Sequence, residues 1–158
     1  MASRTRDNRP SRLCGMAIAL GCVAAAPVRA DEAEPLQATL IVELRGLRSN
    51  RGKAVLALFN GKAGFPRDAA KAQCRWAGPI KRNRARVTFG ALTPGRYAVS
   101  VFHDENGNGR LDKTWLGAPD EGIGASRDAR GTRGPPRFKD AAFRLGAGKR
   151  TIKIKVRY

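Results

Sequence analysis

The stretch LTPGRYAVSVF, residues 92–102, carries the clearest structural signal in the chain. Pro94 fixes its φ angle at about −65° and Gly95 tolerates a positive φ, so residues 92–95 are typical of a tight type II turn. The run from Tyr97 to Phe102 is rich in β-branched and aromatic side chains, which favours a β-strand. The stretch therefore predicts a turn that leads directly into a strand.

Two apolar runs upstream predict the first strands. ATLIVEL (38–44) and KAVLALF (53–59) are separated by a polar segment that contains two glycines, so we interpret them as a hairpin. In the second run apolar side chains occupy both faces. This pattern is typical of a central strand that is covered on both sides.

Further short strands are predicted at residues 74–80, 84–89, 141–145 and 151–156. The last two flank Gly-Ala-Gly-Lys and are expected to form a closing hairpin. The count is about seven short strands in roughly 120 residues, without a convincing helix. The sequence therefore predicts an all-β fold, an immunoglobulin-like antiparallel β-sandwich.

Residues 103–139 interrupt this pattern. They are rich in glycine and proline and show no sustained period of 2 or 3.6, which predicts one long loop. Loops of this length are uncommon in compact domains unless they bind something or are disordered. Residues 38–158 are interpreted as a single domain, preceded by a flexible tail at residues 31–37.

The first 30 residues are predicted to be a cleavable signal peptide. A basic segment precedes the apolar run 13–26, and Pro-Val-Arg-Ala then predicts cleavage after Ala30. About 14 apolar residues are too few for a hydrocarbon core of about 30 Å, so no membrane span is expected. The protein is predicted to be exported, periplasmic or secreted; a lipoprotein attached through Cys22 is the alternative.

The charge balance is strongly basic, with a formal net charge of +18. Residues 31–158 contain 26 basic and 12 acidic side chains. Export and the scattered placement of the cations argue against nucleic acid as a partner and favour solubility or attraction to anionic envelope surfaces. Cys74 is the one cysteine beyond the predicted signal peptide, so it has no disulfide partner and is expected to be buried.

The segment DENGNGRLD, residues 104–112, matches the first nine positions of an EF-hand-type calcium loop. Asp104, Asn106, Asn108 and Asp112 would supply side-chain oxygens, and Arg110 its backbone carbonyl. Hard oxygen ligands suit Ca²⁺ rather than Zn²⁺. These five residues are therefore a candidate calcium site.

The match ends at position 12, where Trp115 replaces the bidentate glutamate of an EF-hand. Asp120 or Glu121 could supply the missing carboxylate if the loop folds back. The alternative is that the Asp and Asn side chains form Asx-turns and bind no ion.

The candidates for catalysis are few. His103 is the only histidine, and the chain has no G-x-S-x-G motif, so neither a histidine metal cage nor a recognisable triad is present in the sequence. We expect His103 to be structural, and a buried His103 would count against a catalytic role. Trp76 and Trp115 are both expected to lie in the core.

The runs LTPGRYAVSVFHDEN (92–106), LGAPDEGIGAS (116–126) and PPRFKDAAF (135–143), together with Tyr158, resemble an uncharacterised bacterial family, domain of unknown function 2141. The resemblance covers nearly all of the chain after residue 30. It implies a transthyretin-like (prealbumin-like) or carboxypeptidase-regulatory-like sandwich. It leaves the role of Ser126 open.

The sequence thus favours a non-enzymatic exported domain whose 104–112 loop binds Ca²⁺ and holds the long loop for contact with a partner or surface ligand. One alternative is a small periplasmic hydrolase that uses His103 with Asp104, Asp112 or Glu121. Another is a basic module that binds anionic envelope polymers, with an affinity that falls steeply with salt.

Overall fold

The computed structural model describes residues 36–158, and this part of the chain is an all-β fold of two sheets. The strands are β1 (Ala38–Arg45), β2 (Lys53–Phe59), β3 (Cys74–Gly78), β4 (Ala85–Leu92), β5 (Gly95–Asp104), β6 (Ile123–Ala125), β7 (Phe143–Leu145) and β8 (Gly148–Lys155). The helical elements are two 3₁₀ turns, Ala69–Lys71 and Ser126–Asp128, and one short helix, α1 (Phe138–Ala141).

The predicted signal peptide and residues 31–35 of the predicted tail lie outside the described residues. From residue 36 onward, no helix has the length and apolar character needed to cross a membrane.

The first sheet has three strands in the order β4-β1-β8, and the second has the order β3-β2-β5-β6, with β7 also paired to β5. All pairs are antiparallel except β1 with β8, which run parallel from Ala38↔Gly148 to Arg45↔Lys155. The expected purely antiparallel sandwich is therefore wrong in this respect, because β8 returns alongside the first strand rather than beside β7.

Both predicted hairpins are wrong for a related reason. β1 and β2 lie in different sheets, and so do β7 and β8. The polar, glycine-containing segments between them cross from one sheet to the other instead of reversing within one sheet. Gly46 and Gly52 allow the first crossing, since both have positive φ and a Cβ on Gly46 would lie 2.8 Å from the carbonyl oxygen of Val156.

The central position of β2 is confirmed. β2 pairs with β3 on one side and β5 on the other, and both of its faces are covered. Leu56 and Leu58 belong to the main core, which contains residues of both sheets. On the opposite face the ring of Phe59 meets that of Phe65 edge-on, with centroids 5.4 Å apart. Burial of each such leucine contributes about 1.5–3 kcal/mol.

The connection from β4 to β5 is also a crossing between sheets. Gly95 is not among the described residues with positive φ, so the predicted type II turn is wrong; Ala91 has the positive φ instead, at 53°. The hydroxyl of Tyr97 donates to the carbonyl of Thr93 at 2.7 Å. A tyrosine that bonds back to the backbone in this way secures a corner between two sheets.

The predicted single long loop is shorter and more ordered than expected. β5 continues to Asp104, and β6, the second 3₁₀ turn and α1 divide the remainder into two loops, residues 105–122 and 129–137. The two tryptophans, both predicted to lie in the core, differ in burial. Trp76 is half-buried against the core, whereas Trp115 is 92% exposed, so its predicted core position is wrong. Cys74 also packs against the core and is half-buried.

Candidate metal-binding loop

The candidate loop begins at the last residue of β5. Asp104 is 1% exposed, and its carboxylate accepts hydrogen bonds from the backbone N–H groups of Gly107 (2.8 Å), Asn108 (3.0 Å) and Gly109 (2.9 Å). Both glycines have positive φ, which bends the chain around this carboxylate. Asp104 therefore organises the first half of the loop, as the Asx-turn interpretation expects.

Asp112 closes the loop from the other side. Its carboxylate accepts from the side-chain amide of Asn106 at 2.6 Å and from that of Asn108 at 3.0 and 3.1 Å. The amide oxygen of Asn108 accepts from the backbone N–H of Arg110 at 2.7 Å. The structure thus joins the four predicted side-chain ligands, and the backbone of Arg110, in one hydrogen-bonded cluster.

Glu121 adjoins the loop, although the predicted ligand set omits it. It is 6% exposed, and its two carboxylate oxygens accept from the backbone N–H groups of Glu105 (2.8 Å) and Asp112 (3.2 Å). One buried carboxylate therefore holds both ends of the loop. The break at position 12 was the available signal, because a missing ligand directs attention to acidic residues further along the chain.

A small hairpin returns the chain to Glu121. Lys113 forms a bridge with Pro119, the N–H of Asp120 donates to the carbonyl of Asp112 at 3.0 Å, and the N–H of Gly117 donates to the carbonyl of Thr114 at 2.9 Å. Gly117 has a φ of 80°, as the last position of a three-residue hairpin loop requires. The hairpin explains why position 12 of the motif points outward, with Trp115 and Leu116 exposed at its tip.

Negative charge is concentrated around this loop. Residues 36–158 contain nine acidic side chains, and five of them lie between positions 104 and 121, against two basic ones. Asp104 and Glu121 are the buried carboxylates of the described chain. Burying ionised groups is costly unless they are paired, and backbone N–H groups supply the pairing here. The loop is therefore an acidic island in a basic protein.

The ligand set differs from that of a site built from acidic and histidine side chains. Within residues 36–158, no three or more His, Cys, Asp or Glu side chains are grouped so that they could hold a metal ion. The predicted set relies instead on the carboxylates of Asp104 and Asp112, two amide side chains and a backbone carbonyl. Such a mixed oxygen set is chemically suited to Ca²⁺ rather than to Zn²⁺.

His103 lies directly before the loop and is fully buried. Its Nε2 is 2.8 Å from the carbonyl oxygen of Arg51, and its Nδ1 is 2.5 Å from the hydroxyl of Tyr158. A carbonyl can only accept, so Nε2 carries a hydrogen, and in the neutral ring Nδ1 then accepts from the hydroxyl of Tyr158. Both ring nitrogens are engaged within the fold, as expected of a structural histidine.

Tyr158 connects this histidine to the loop. Its hydroxyl accepts from the backbone N–H of Arg48 at 3.0 Å, and the guanidinium of Arg48 lies 4.5 Å from the centre of its ring. Nε of Arg48 is 2.7 Å from the carboxylate of Glu105, which raises the pKa of Arg48. Burial is the main cause that raises the pKa of Tyr158.

Ser126, whose role the sequence leaves open, joins two elements. It is fully buried; its hydroxyl donates to the carbonyl of Ala141 at 2.7 Å and accepts from the N–H of Val99 at 2.9 Å. Both capacities of the hydroxyl are used in linking β5 to α1. The geometry assigns Ser126 a structural position.

Comparisons with curated proteins and with solved structures give no match. A family profile does match, over residues 42–153, which is most of the chain and includes both sheets, the 104–112 loop and Glu121. The chain therefore belongs to the family described as an uncharacterised protein conserved in bacteria, DUF2141.

Proposed function

We propose that this protein is an exported, non-enzymatic binding or structural module whose 104–112 loop, completed by Glu121, binds Ca²⁺. The observation that carries the proposal is the cluster itself. The side chains of Asp104, Asn106, Asn108 and Asp112 are joined by hydrogen bonds around one loop, and a buried carboxylate adjoins it.

The amide oxygens of the two asparagines are available to a cation. Each amide nitrogen now donates to Asp112, while the oxygen of Asn106 accepts from the backbone N–H of Asn108 and that of Asn108 from the N–H of Arg110. An amide oxygen has two lone pairs, so each can keep its backbone hydrogen bond and bind an ion once the amide nitrogens release Asp112. Two amide oxygens would then join the carboxylates of Asp104 and Asp112, and Glu121 would supply the carboxylate that position 12 lacks.

Calcium would also reduce the repulsion among the five acidic side chains of residues 104–121. By fixing Asp112 it would steady the hairpin of residues 112–120, which carries the exposed Trp115 and Leu116. We therefore propose that the ion holds this hairpin in position for contact with a partner or surface ligand. Export would bring the loop into compartments where Ca²⁺ is plentiful enough for a weak site.

The geometry gives less support to a hydrolase based on His103. A general base must reach a substrate proton, directly or through one water molecule. His103 is 0% exposed, and both of its nitrogens already have partners inside the protein. We therefore propose a non-enzymatic role for this protein. The corner at Tyr97 and the crossings between sheets support the finer description of the fold as an immunoglobulin-like or transthyretin-like sandwich.

Isothermal titration of the purified protein with Ca²⁺ tests the proposal. We expect a single site with a Kd of about 10⁻⁴–10⁻³ M, as for extracellular calcium modules. Asp112→Asn should abolish the heat of binding, whereas Asp140→Asn, which removes an exposed carboxylate outside the loop, should leave it unchanged. Asp104→Ala serves as a second variant, with circular dichroism to confirm folding. Flat traces for the unmodified protein would refute calcium binding and leave the Asx-turn interpretation.

A further inference from the structure

The segment between the second 3₁₀ turn and α1 forms a basic cleft that the proposed function does not use. The cleft has a volume of about 620 Å³. Its charged lining residues are Arg130, Arg133, Arg137, Lys139 and Asp140. Four cations thus face one concave space together with a single carboxylate. A cleft lined by charges of one sign concentrates the electrostatic potential and attracts counter-ions.

The two ends of this segment are attached to the fold. Before the cleft, Asp128 accepts a hydrogen bond from the backbone N–H of Lys155 in β8 at 2.8 Å. The guanidinium of Arg127 donates to the carbonyl of Ala142 at 3.1 Å, so the residues before the cleft bind those after it. These hydrogen bonds fix the residues that flank the cleft, although the cations inside it lie on the surface.

The far end is attached by packing. The ring of Phe138 in α1 meets that of Phe65 edge-on, with centroids 5.9 Å apart, and Ala141 is completely buried. Within the segment the backbone turns tightly, because a Cβ on Gly131 would clash with the carbonyl oxygen of Gly134. A side chain at position 131 would force this turn to open.

The four cations are not neutralised within the fold. In the part of the chain that the structure describes, no carboxylate lies within 4.0 Å of Arg130, Arg133, Arg137 or Lys139. Asp140 lines the same cleft but pairs with none of them, so water, salt or an anionic ligand must relieve most of the repulsion among these like charges.

The chemistry of the lining indicates which anion fits. Three of the four cations are arginines, whose planar forks bind phosphate and carboxylate oxygens in pairs. Matching four positive charges calls for a ligand with at least two negative charges, which favours phosphate groups. The described lining contains no aromatic side chain, so it offers no platform for stacking of nucleic acid bases. The volume is in the range of small-molecule sites.

We propose that the cleft formed by Arg130, Arg133, Arg137 and Lys139 is a binding site for a phosphate-bearing ligand with two or more negative charges. The ligand is either a small soluble phosphate compound or the phosphate headgroup of an anionic lipid. The site shares no residue with the 104–112 loop, so it does not depend on calcium.

Two probes distinguish these sources. Inorganic pyrophosphate is titrated into the protein by calorimetry, in EDTA and about 50 mM salt. Sedimentation with phosphatidylglycerol vesicles, against phosphatidylcholine vesicles, tests the lipid source. The test variant carries Arg130→Gln, Arg133→Gln and Arg137→Gln. The matched control carries Arg67→Gln, Arg82→Gln and Arg84→Gln, which remove the same charge from exposed positions outside the cleft. Thermal unfolding checks that both variants fold.

We expect the cleft variant to lose at least about tenfold in affinity for the bound probe and the control less than about twofold, since charge-assisted contacts depend on position. Binding of pyrophosphate identifies a soluble ligand class, and binding of phosphatidylglycerol alone identifies a headgroup. Equal losses in the two variants would overturn the proposal, because net charge alone would then explain binding. Failure of both probes to bind would also overturn it. So would an affinity for succinate, a dicarboxylate without phosphate, equal to that for pyrophosphate.

Discussion

Replacing Glu121 with glutamine keeps the shape of the side chain and removes one charge and one acceptor. The carboxylate now accepts from the N–H groups of Glu105 and Asp112. The amide oxygen of glutamine can accept from one of these N–H groups. The amide nitrogen would face the other N–H group, and two donors cannot form a hydrogen bond. Loss of one charge-assisted hydrogen bond in this buried place should lower the free energy of unfolding by about 1.5–3 kcal/mol in EDTA.

Calcium should widen the difference between the two proteins. At about 10 mM Ca²⁺ and a Kd of about 0.1–1 mM, binding stabilises the unmodified protein by about 1.4–2.7 kcal/mol. Glu121→Gln should gain much less, because it lacks the carboxylate proposed for position 12. Asp140→Asn is the control, and it should gain as much as the unmodified protein.

Urea unfolding followed by tryptophan fluorescence measures both effects. Trp76 is half-buried against the core and reports unfolding, whereas Trp115 is already exposed. Equal stability of Glu121→Gln and the unmodified protein in EDTA would refute the role of Glu121 in holding the loop. An equal calcium gain in both would refute its role as a ligand.

Three further substitutions test other parts of the structure. Ser126→Ala leaves the N–H of Val99 and the carbonyl of Ala141 without partners, so we expect a loss of about 2–5 kcal/mol in urea unfolding, with Ser100→Ala as a near-neutral control. Because burial raises the pKa of Tyr158 above its usual value of 10.0, the folded state retains that proton more strongly. This contribution to stability should therefore be present below about pH 10 and be lost as the pH rises through the folded pKa. Tyr158→Phe should lack this pH-dependent contribution when unfolding is measured between about pH 9 and 11. The same pH profile in the variant and the unmodified protein would contradict the prediction. Trp115→Ala should change stability by less than about 0.5 kcal/mol, and a larger loss would show that the tip packs against the fold.

Most strands were predictable from sequence, but β6 and the pairing of the strands were not. Alternation along KAVLALF indicates which side chains share a face and that both faces are covered, and the structure confirms both. The same local pattern carries no information about which strand lies alongside. Residues 46–52 resemble a hairpin turn in composition, yet Gly46 and Gly52 serve a crossing between sheets. The parallel pairing of β1 with β8 joins segments that are about 110 residues apart, beyond the range of any local signal.

The candidate loop shows the same division between local and distant information. The spacing of Asp104, Asn106, Asn108 and Asp112 predicts a cluster, because alternate residues of a tight loop turn toward one centre. The structure joins all four by hydrogen bonds. The part played by Glu121 depends on a hairpin whose return cannot be read from spacing. Exposure of Trp115 follows from the same hairpin, which is why the expectation that it lies in the core was wrong.

The loop is connected to the sandwich through Glu105 as well as through β5. The backbone N–H of Glu105 bonds Glu121 inside the loop, while its side chain pairs with Arg48 in the crossing between β1 and β2. The backbone N–H of Arg48 donates a hydrogen bond to the hydroxyl of Tyr158, and the same hydroxyl is hydrogen-bonded to Nδ1 of His103 near the end of β5. Contacts linked in one network tend to break together rather than singly. An ion bound at the loop should therefore stabilise the whole fold, so calcium should shift the main unfolding transition and leave no separate early transition for the loop.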